Sequence, residues 1–132
     1  MNVIHVSAEC YPIAKVGGLG DVVGSLPKYQ SEAGVDAKVI MPFYNNKFSA
    51  AHSFKSIYES ELVLGEEIYP YKILKLKEEV LDINVLFVDI PKLLFKNFVY
   101  SDDDTARFTA FQIAVMDWLL TLKEKPSIIH CH

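Results

Sequence analysis

The sequence predicts an α/β fold built on a mainly parallel sheet with an inserted β-hairpin, and three observations support this class. Apolar strand-like segments at residues 2–7 and 35–41 flank a glycine turn and a helical pattern. This β-turn-α-β order is typical of parallel strands joined by a right-handed crossover. The chain has 132 residues and is 51% hydrophobic, with eight Phe and seven Tyr, so it can bury the core of one domain.

Composition excludes several classes of protein. A charged fraction of 23% with a net charge of −4 does not fit a disordered chain. No basic stretch predicts a nucleic-acid partner, and no apolar run reaches the roughly 20 residues needed to cross a membrane. The N-terminus shows no signal or transit pattern, so we expect a cytoplasmic protein. Cys10 and Cys131 form no disulfide framework and are expected to be reduced.

The first half of the chain reads as strand, helix and strand. Residues 2–7 are apolar without alternation, as in a strand buried on both faces. Apolar residues recur at helical spacing over 19–33, and Gly34 provides a stop signal. Pro27 lies inside this pattern and predicts a kink or a restart of the helix. A second buried strand follows at 35–41.

The middle of the chain reads as three strands. Residues 54–64 and 68–76 alternate apolar and charged side chains, and Gly65 begins the turn between them. They predict an exposed β-hairpin inserted in the α/β frame. A buried strand at 83–89 follows, and Pro91 begins a short helical turn.

The last part of the chain predicts a helix over 105–125 and a buried strand over 127–131. The chain ends at His132, where the next loop begins. Parallel α/β sheets place their ligand-binding loops after the strand ends. We therefore expect the chain to be part of a longer protein.

The segment Lys15–Asp21, with the sequence KVGGLGD, carries the strongest chemical signal. It lies between a predicted strand and a predicted helix. Glycines let backbone amides approach an anion, and a helix N-terminus adds partial positive charge. Lys15 adds a full positive charge, so the segment suits a phosphate group.

Two common phosphate motifs do not fit this segment. A dinucleotide fingerprint needs G-x-G-x-x-G, whereas Gly18, Gly20 and Gly24 give G-x-G-x-x-x-G, and no acidic residue ends the second strand. The G-K-[ST] of a Walker A loop is absent. A glycosyltransferase donor loop and a tight turn without a ligand both stay open on these grounds.

Residues 7–22 resemble the signature S-E-x-x-P-x-x-K-x-G-G-L-(G/A)-D-V of bacterial glycogen synthases and plant starch synthases, glycosyltransferase family 5. The similarity continues through 24–28 and 39–44. A weaker match to D-N-x-x-R-F covers 103–108, and 129–132 looks like the start of H-x-H-D-W. The resemblance follows the whole chain in order.

The resemblance implies a GT-B enzyme with two Rossmann-like domains. Residues 1–132 would be an incomplete N-terminal catalytic domain, without the C-terminal nucleotide-binding domain. The family transfers glucose, with retention, from ADP-glucose or UDP-glucose to the non-reducing end of an α-1,4-glucan. No metal or other cofactor is implied. The piece alone is expected to show no transfer.

The resemblance also implies roles for residues of the glycine segment. Lys15 and the amides of Gly17 and Gly18 would face the donor phosphates, where the leaving diphosphate gains charge. Glu9 and Asp21 would lie on the acceptor side of the cleft. The alternative for Asp21 is a structural one, since an acidic residue favours the first turn of a helix.

Asp103 matches a family aspartate near the active site. The alternative is that residues 102–104 simply cap the following helix. Asp104 stands where the family usually has Asn.

By the same resemblance, His132 would contact the donor glucose, and its backbone carbonyl could face positive charge on the sugar. His130 and His132 lie two apart on a strand and therefore share one face. Zinc is conceivable there, but a third ligand is not evident in the sequence, so no metal site is predicted. His5 and His52 are expected to be structural.

A second function class competes with the enzyme. The same fold could serve as a non-catalytic glucan-binding or nucleotide-binding module. The sequence that follows His132 would separate the two, because Asp-Trp and a second α/β domain would favour the enzyme.

Overall fold

A computed structural model describes all residues, 1–132, as six strands and three helices. In chain order they are β1 (Asn2–Val6), α1 (Gly18–Glu32), β2 (Asp36–Pro42), α2 (Lys47–Ala51), β3 (Phe54–Leu64), β4 (Glu67–Leu76), β5 (Asn84–Asp89), α3 (Asp104–Thr121) and β6 (Ile128–Cys131). None of the helices combines the length and apolar character needed to cross a membrane.

The strands form one sheet in the order β3-β4-β5-β2-β1-β6. β5, β2, β1 and β6 run parallel, and Val3 of β1 pairs with Ala37 of β2 and Ile128 of β6. The predicted α/β class is therefore confirmed. Because these four strands are parallel, the loops that follow them meet at the same edge of the sheet.

The two long helices cover opposite faces of the sheet. α3 lies on the face that carries alternate residues of β1, β2 and β5. That core includes Ile4, Val6, Ile40, Leu86, Val88, Phe111 and Trp118. α1 lies on the other face, where the core includes Val23, Val39, Met41, Val85 and Phe87. Burial on both faces explains why the central strands lack alternation in the sequence.

α1 runs as one helix from Gly18 to Glu32, with Pro27 buried inside it. The structure therefore corrects the predicted restart at Pro27. The predicted stop is confirmed, since Gly34 has a φ of +89°, a conformation that favours glycine after a helix end.

The predicted hairpin is present as β3 and β4, but it is less exposed than expected. β4 pairs antiparallel with β5 and so extends the main sheet. Tyr71, Ile73 and Leu74 of β4 are buried, and the Tyr71 hydroxyl donates a hydrogen bond to Asp117 of α3. The outer strand, β3, has a single buried residue, Leu62, whereas β4 has three.

α3 ends at Thr121, four residues before the predicted end at Lys125. The Lys125 ammonium folds back instead and donates to the carbonyls of Leu119, Leu120 and Leu122. A cation at this position offsets the negative end of the helix dipole.

β6 also departs from the prediction, because all four of its residues are exposed rather than buried. It is the edge strand of this sheet, and its pairing with β1 leaves its outer side uncovered. The short helix α2 was not predicted. Asn46 caps it, and Ser49 completes a reciprocal capping box.

Candidate functional site

The candidate site lies at the carboxyl-terminal edge of the parallel strands. The loop after β1 (residues 7–17) contacts the loops after β2 and β5 there, and His132 follows β6 at the same edge. Ligand sites of open α/β sheets lie at this edge. The glycine segment lies at this edge. Asp103 and His132, the other predicted site residues, lie there too.

Glu9 holds the backbone of the glycine segment through hydrogen bonds. Its Oε1 accepts hydrogen bonds from the backbone N–H groups of Val16, at 2.8 Å, and Gly17, at 3.1 Å. Its Oε2 accepts a hydrogen bond from the Tyr100 hydroxyl. Glu9 is only 3% exposed, so its charge depends on these donors for stabilisation.

The hydrogen bonds to Glu9 determine its ionisation state. Burial alone would raise the pKa of Glu9, but the Tyr100 hydroxyl and the amides of Val16, Gly17 and Gly20 outweigh it and lower the pKa. Burial first, and the Glu9 carboxylate second, raise the pKa of Tyr100 to about 12. Glu9 is therefore ionised near neutral pH, and Tyr100 keeps the proton that it donates.

Two side chains that follow β2 fix the rest of the loop. The Tyr44 hydroxyl donates to the carbonyl of Ala8 at 2.7 Å, and Asn46 Nδ2 donates to the carbonyl of Ile13 at 2.9 Å. The backbone of the loop is thus held at both ends, and the glycine segment starts from a rigid base.

The side of the glycine segment that does not contact these residues is open. A Cβ atom added at Gly17 or Gly18 would meet no heavy atom within 4 Å. Lys15 Nζ lies 2.9 Å from Asp21 Oδ2, and both side chains are about half exposed. Gly18 begins α1, where the first N–H groups of a helix have no partner inside the helix. Lys15 and Gly18 are exposed, so an ammonium group and an amide without an acceptor inside the helix lie together at an open surface.

The structure adds contacts at four of the residues with predicted roles. The Gly17 amide donates to Glu9 rather than facing solvent, so among the two predicted glycine amides only Gly18 is free. Glu9 is buried with both oxygens engaged, so it supports the loop in this conformation, and its place on the acceptor side stays a prediction. Lys15 and Asp21, predicted on donor and acceptor sides, form one ion pair.

Asp103 is exposed and occupies the N-cap position of α3, but its side chain makes no capping hydrogen bond. The neighbouring Asp104 is the structural residue, because its Oδ1 accepts from the backbone N–H of Ser101 at 2.8 Å and from Arg107 at 2.9 Å. The carboxylate of Asp103 is thus left free at the site, and the predicted capping role belongs to neither residue in its usual form.

Arg107 holds the loop that carries Tyr100. It is 2% exposed, and its guanidinium donates to the carbonyls of Leu93, at 2.7 Å, and Val99, at 2.8 Å. It also packs over the ring of Phe98. The buried Arg107 Nη2 has no hydrogen-bond partner within the chain. Arg107 therefore acts on the site through the position of Tyr100.

Three histidines meet beside α1. His5 pairs with His130 across β1 and β6, and parallel pairing places both rings on one face. His5 Nδ1 lies 2.9 Å from His132 Nε2, and His5 Nε2 lies 2.6 Å from Gln30 Oε1. The rings of His130 and His132 stack with centroids 4.0 Å apart.

The histidine cluster supplies the third imidazole that the sequence did not reveal. The candidate ligand nitrogens of His5, His130 and His132 all lie within 4.8 Å of one another, a grouping that resembles a metal site, but the 2.9 Å between His5 Nδ1 and His132 Nε2 is the length of a hydrogen bond. Burial lowers the pKa of His5, and burial followed by the charges of His130 and His5 lowers the pKa of His132. His5 and His132 are therefore neutral near pH 7.

Sequence reasoning missed Tyr100, Arg107 and Gln30. Arg107 lies within the matched segment 103–108 but received no role. Tyr100 and Gln30 carry no local pattern, since each acts on a residue more than 20 positions away. The pairing of His5 with His130 was the one available signal, because adjacent parallel strands place them side by side.

A wide groove of about 980 Å³ lies elsewhere, at the amino-terminal edge of the strands. It is lined by Asn2, Asp36 and Asn84, which begin β1, β2 and β5. This is the opposite edge from the glycine segment, so the groove takes no part in the site described above.

Comparison with known proteins gives consistent results. The family described as starch synthase catalytic domain matches residues 2–132. A glycogen synthase of Flavobacterium johnsoniae is 44% identical over 133 residues, and one of Halalkalibacterium halodurans is 36% identical over 135 residues. Both alignments cover all of this chain and 28% of the relative.

A solved structure shares the fold. It is the catalytic domain of Starch Synthase IV from Arabidopsis thaliana bound to ADP and acarbose, with a TM-score of 0.86 and 33% sequence identity. The alignment covers 99% of this chain and 27% of that chain. The chain thus spans little more than a quarter of the length of these relatives.

Proposed function

The chain belongs to the starch synthase catalytic domain family, and on that premise we propose that the complete protein is a glycogen synthase. It transfers glucose from a nucleotide sugar to the non-reducing end of an α-1,4-glucan, with retention of configuration, in the cytoplasm. Residues 1–132 belong to the N-terminal domain of a two-domain GT-B enzyme. The rest of the relatives' length is sufficient for a second domain.

The observation that carries this proposal is the glycine segment at the carboxyl edge of the sheet. Lys15 is half exposed, the Gly18 amide has no acceptor inside the helix, the space beside Gly17 and Gly18 is open, and Glu9 fixes the adjoining backbone. Negative charge grows on the leaving diphosphate as the bond to glucose breaks. Donors that are already in place stabilise that charge without reorganisation.

ADP-glucose is the donor we propose, with UDP-glucose as the alternative. The related plant structure is bound to ADP and acarbose, which supports an adenine nucleotide and a glucan-like acceptor. His132 contacts the donor glucose, Asp103 lies beside the reacting centre with a free carboxylate, and Asp21 faces the acceptor. Binding of phosphate breaks the exposed Lys15–Asp21 ion pair, which costs little because such pairs are weak.

The test is Lys15→Ala in the complete protein. We expect kcat/KM for ADP-glucose to fall about 100-fold, because one charged donor to the leaving group is lost. Lys28→Ala is the matched control, since Lys28 is equally exposed and also forms an ion pair, with Asp82 at 3.5 Å. An unchanged kcat/KM in Lys15→Ala would remove the phosphate role of Lys15.

A further inference from the structure

Three side chains connect α1 to the end of β6. Gln30 of α1 contacts His5 of β1 at 2.6 Å, and His5 contacts His132 at 2.9 Å. His5 is fully buried between the other two. The chain of contacts therefore runs from a surface helix, through the core, to a residue at the candidate site.

The donor and acceptor roles of these three side chains follow from the orientation of Gln30. The side-chain amide of Gln30 presents Oε1 to His5, and in this orientation Oε1 accepts and His5 Nε2 carries the proton of the hydrogen bond. A neutral imidazole has one N–H, which leaves His5 Nδ1 as an acceptor. His132 Nε2 must then donate to it. His132 is also neutral, so its Nδ1 retains a free lone pair.

We propose that Gln30 and His5 are positioning residues that hold His132 in the Nε2–H tautomer, so that His132 Nδ1 accepts a hydrogen bond from a hydroxyl of the donor sugar. The sugar contact rests on the proposed function. The tautomer itself rests on the orientation of the Gln30 amide, which presents Oε1 to His5, and on the two distances between the three side chains.

A bound metal does not fit the same distances. Two nitrogen ligands of a tetrahedral zinc ion, each about 2.0–2.1 Å from the metal, lie about 3.3 Å apart. His5 Nδ1 and His132 Nε2 are 2.9 Å apart, which is the length of a hydrogen bond. Gln30 also fixes the proton on the far nitrogen of His5, as the hydrogen-bond chain requires.

The experiment compares Gln30→Glu with Gln30→Leu in the complete protein. The carboxylate introduced by Gln30→Glu still accepts from His5 Nε2 but stabilises the doubly protonated ring. His5 Nδ1 then donates to His132, whose proton moves to Nδ1, so an N–H replaces the lone pair offered to the sugar. The leucine side chain introduced by Gln30→Leu has a similar size but neither accepts nor carries charge, and it only releases the tautomers.

Two readouts are taken, both in the presence of a chelator. The first is ring ¹⁵N spectroscopy of labelled histidines, assigned with His5→Gln and His132→Gln. It should show His132 as Nε2–H in the unmodified protein and as Nδ1–H in Gln30→Glu. The second is kcat/KM for the donor, which should fall on the order of tenfold in Gln30→Glu and less in Gln30→Leu. A purely structural role for Gln30 would not produce this order.

The pH dependence of kcat/KM gives a further test, because the proposal predicts the direction of the change. The carboxylate of the Gln30→Glu variant raises the pKa of His5, so the lost activity should return as pH rises and His5 sheds its second proton. The other titratable groups that face His5 are His130 and His132, and they are present in both variants.

Three outcomes would overturn the proposal. They are an Nδ1–H tautomer of His132 in the unmodified protein, equal spectra in the two variants, and a tautomer pattern that the chelator changes, which would indicate a metal. If the tautomers are as expected but no variant transfers glucose, the proposed function fails, and with it the sugar contact, while the tautomer assignment stands.

Discussion

Two pairs of glycines between positions 17 and 24 differ in what surrounds them. A Cβ at Gly24 would lie 2.6 Å from the Tyr11 carbonyl oxygen, and one at Gly20 would lie 3.1 Å from a carbon of Lys15. A Cβ at Gly17 or Gly18 would contact nothing. The first pair is needed for packing of α1 against the loop. No packing contact requires the second pair, and the space beside it is open to a ligand.

Removing the Glu9 side chain should have the largest effect on stability, because its carboxylate lies against one glycine of each pair. Its carboxylate binds the Gly17 amide and also lies 3.3 Å from the Cβ position of Gly20. Glu9→Ala leaves buried donors without an acceptor, and we expect a loss of about 3 kcal/mol in the free energy of unfolding. Denaturant unfolding measures it.

Glu9→Gln is the matched control. It keeps one acceptor oxygen of the same shape, so we expect a smaller loss, about 1 kcal/mol. Equal stability of Glu9→Ala and the unmodified protein would contradict the view that Glu9 supports the glycine segment.

Gly24→Ala should rank second. The added methyl group collides with a backbone oxygen, which cannot rotate away, so the helix must shift from the loop. Overpacking of this kind costs about 2 kcal/mol, which exceeds the roughly 1 kcal/mol that Ala gains over Gly within a helix. A thermal melt of the variant measures the loss, and a raised Tm would show that the loop has room to move.

The sequence predicted the frame of this molecule well, because its central strands and helices carry strong local patterns. Residues 2–7 are apolar without a break, and Gly34 marks the end of α1 as predicted. One prediction was wrong where the packing of distant segments decides the outcome: β6 is exposed because it is the edge strand of the sheet. Another was wrong for a local reason, since Lys125 folds back onto carbonyls three to six residues before it instead of extending α3.

The candidate site shows the same division. The glycine segment could be identified from adjacent residues, and its position at the sheet edge followed from the strand order. The hydrogen bond from Tyr100 to Glu9 could not be identified from the sequence, since Tyr100 lies 91 positions from Glu9 and is joined to it only by the packing of two loops. Gln30 escaped notice for the same reason, whereas Arg107 lay within the matched segment 103–108 and was simply given no role.

Gly18→Ala tests the open pair directly and should have a smaller effect. Ala favours a helix by up to about 1 kcal/mol over Gly, and its Cβ meets no atom, so stability should not fall. In the complete protein the same methyl group would occupy space beside the free amide. We expect KM for ADP-glucose to rise several-fold, on the order of 1 kcal/mol.

Gly34→Ala gives the contrasting result for a glycine that the backbone requires, since its φ of +89° strains any other residue. That variant should lose stability without a change in KM. An unchanged KM in Gly18→Ala would mean that no ligand approaches the open pair.

The smallest effect we expect is in the response of stability to acid. The pKa of Glu9 is lowered in the folded state, below an ordinary value of 4.5, chiefly because hydrogen bonds to its charged form outweigh burial. Its ionised form therefore stabilises the fold fully above about pH 4.5, and this contribution is lost as pH falls through the lower folded-state pKa. Glu9→Gln has no charge to lose, so its stability should decline less between pH 5 and pH 3 than that of the unmodified protein. Glu61→Gln, at an exposed position of β3, is the control and should follow the unmodified curve. Parallel curves for all three proteins would show that the Glu9 carboxylate holds the glycine segment without its charge, and the support beneath the open pair would then be steric rather than electrostatic.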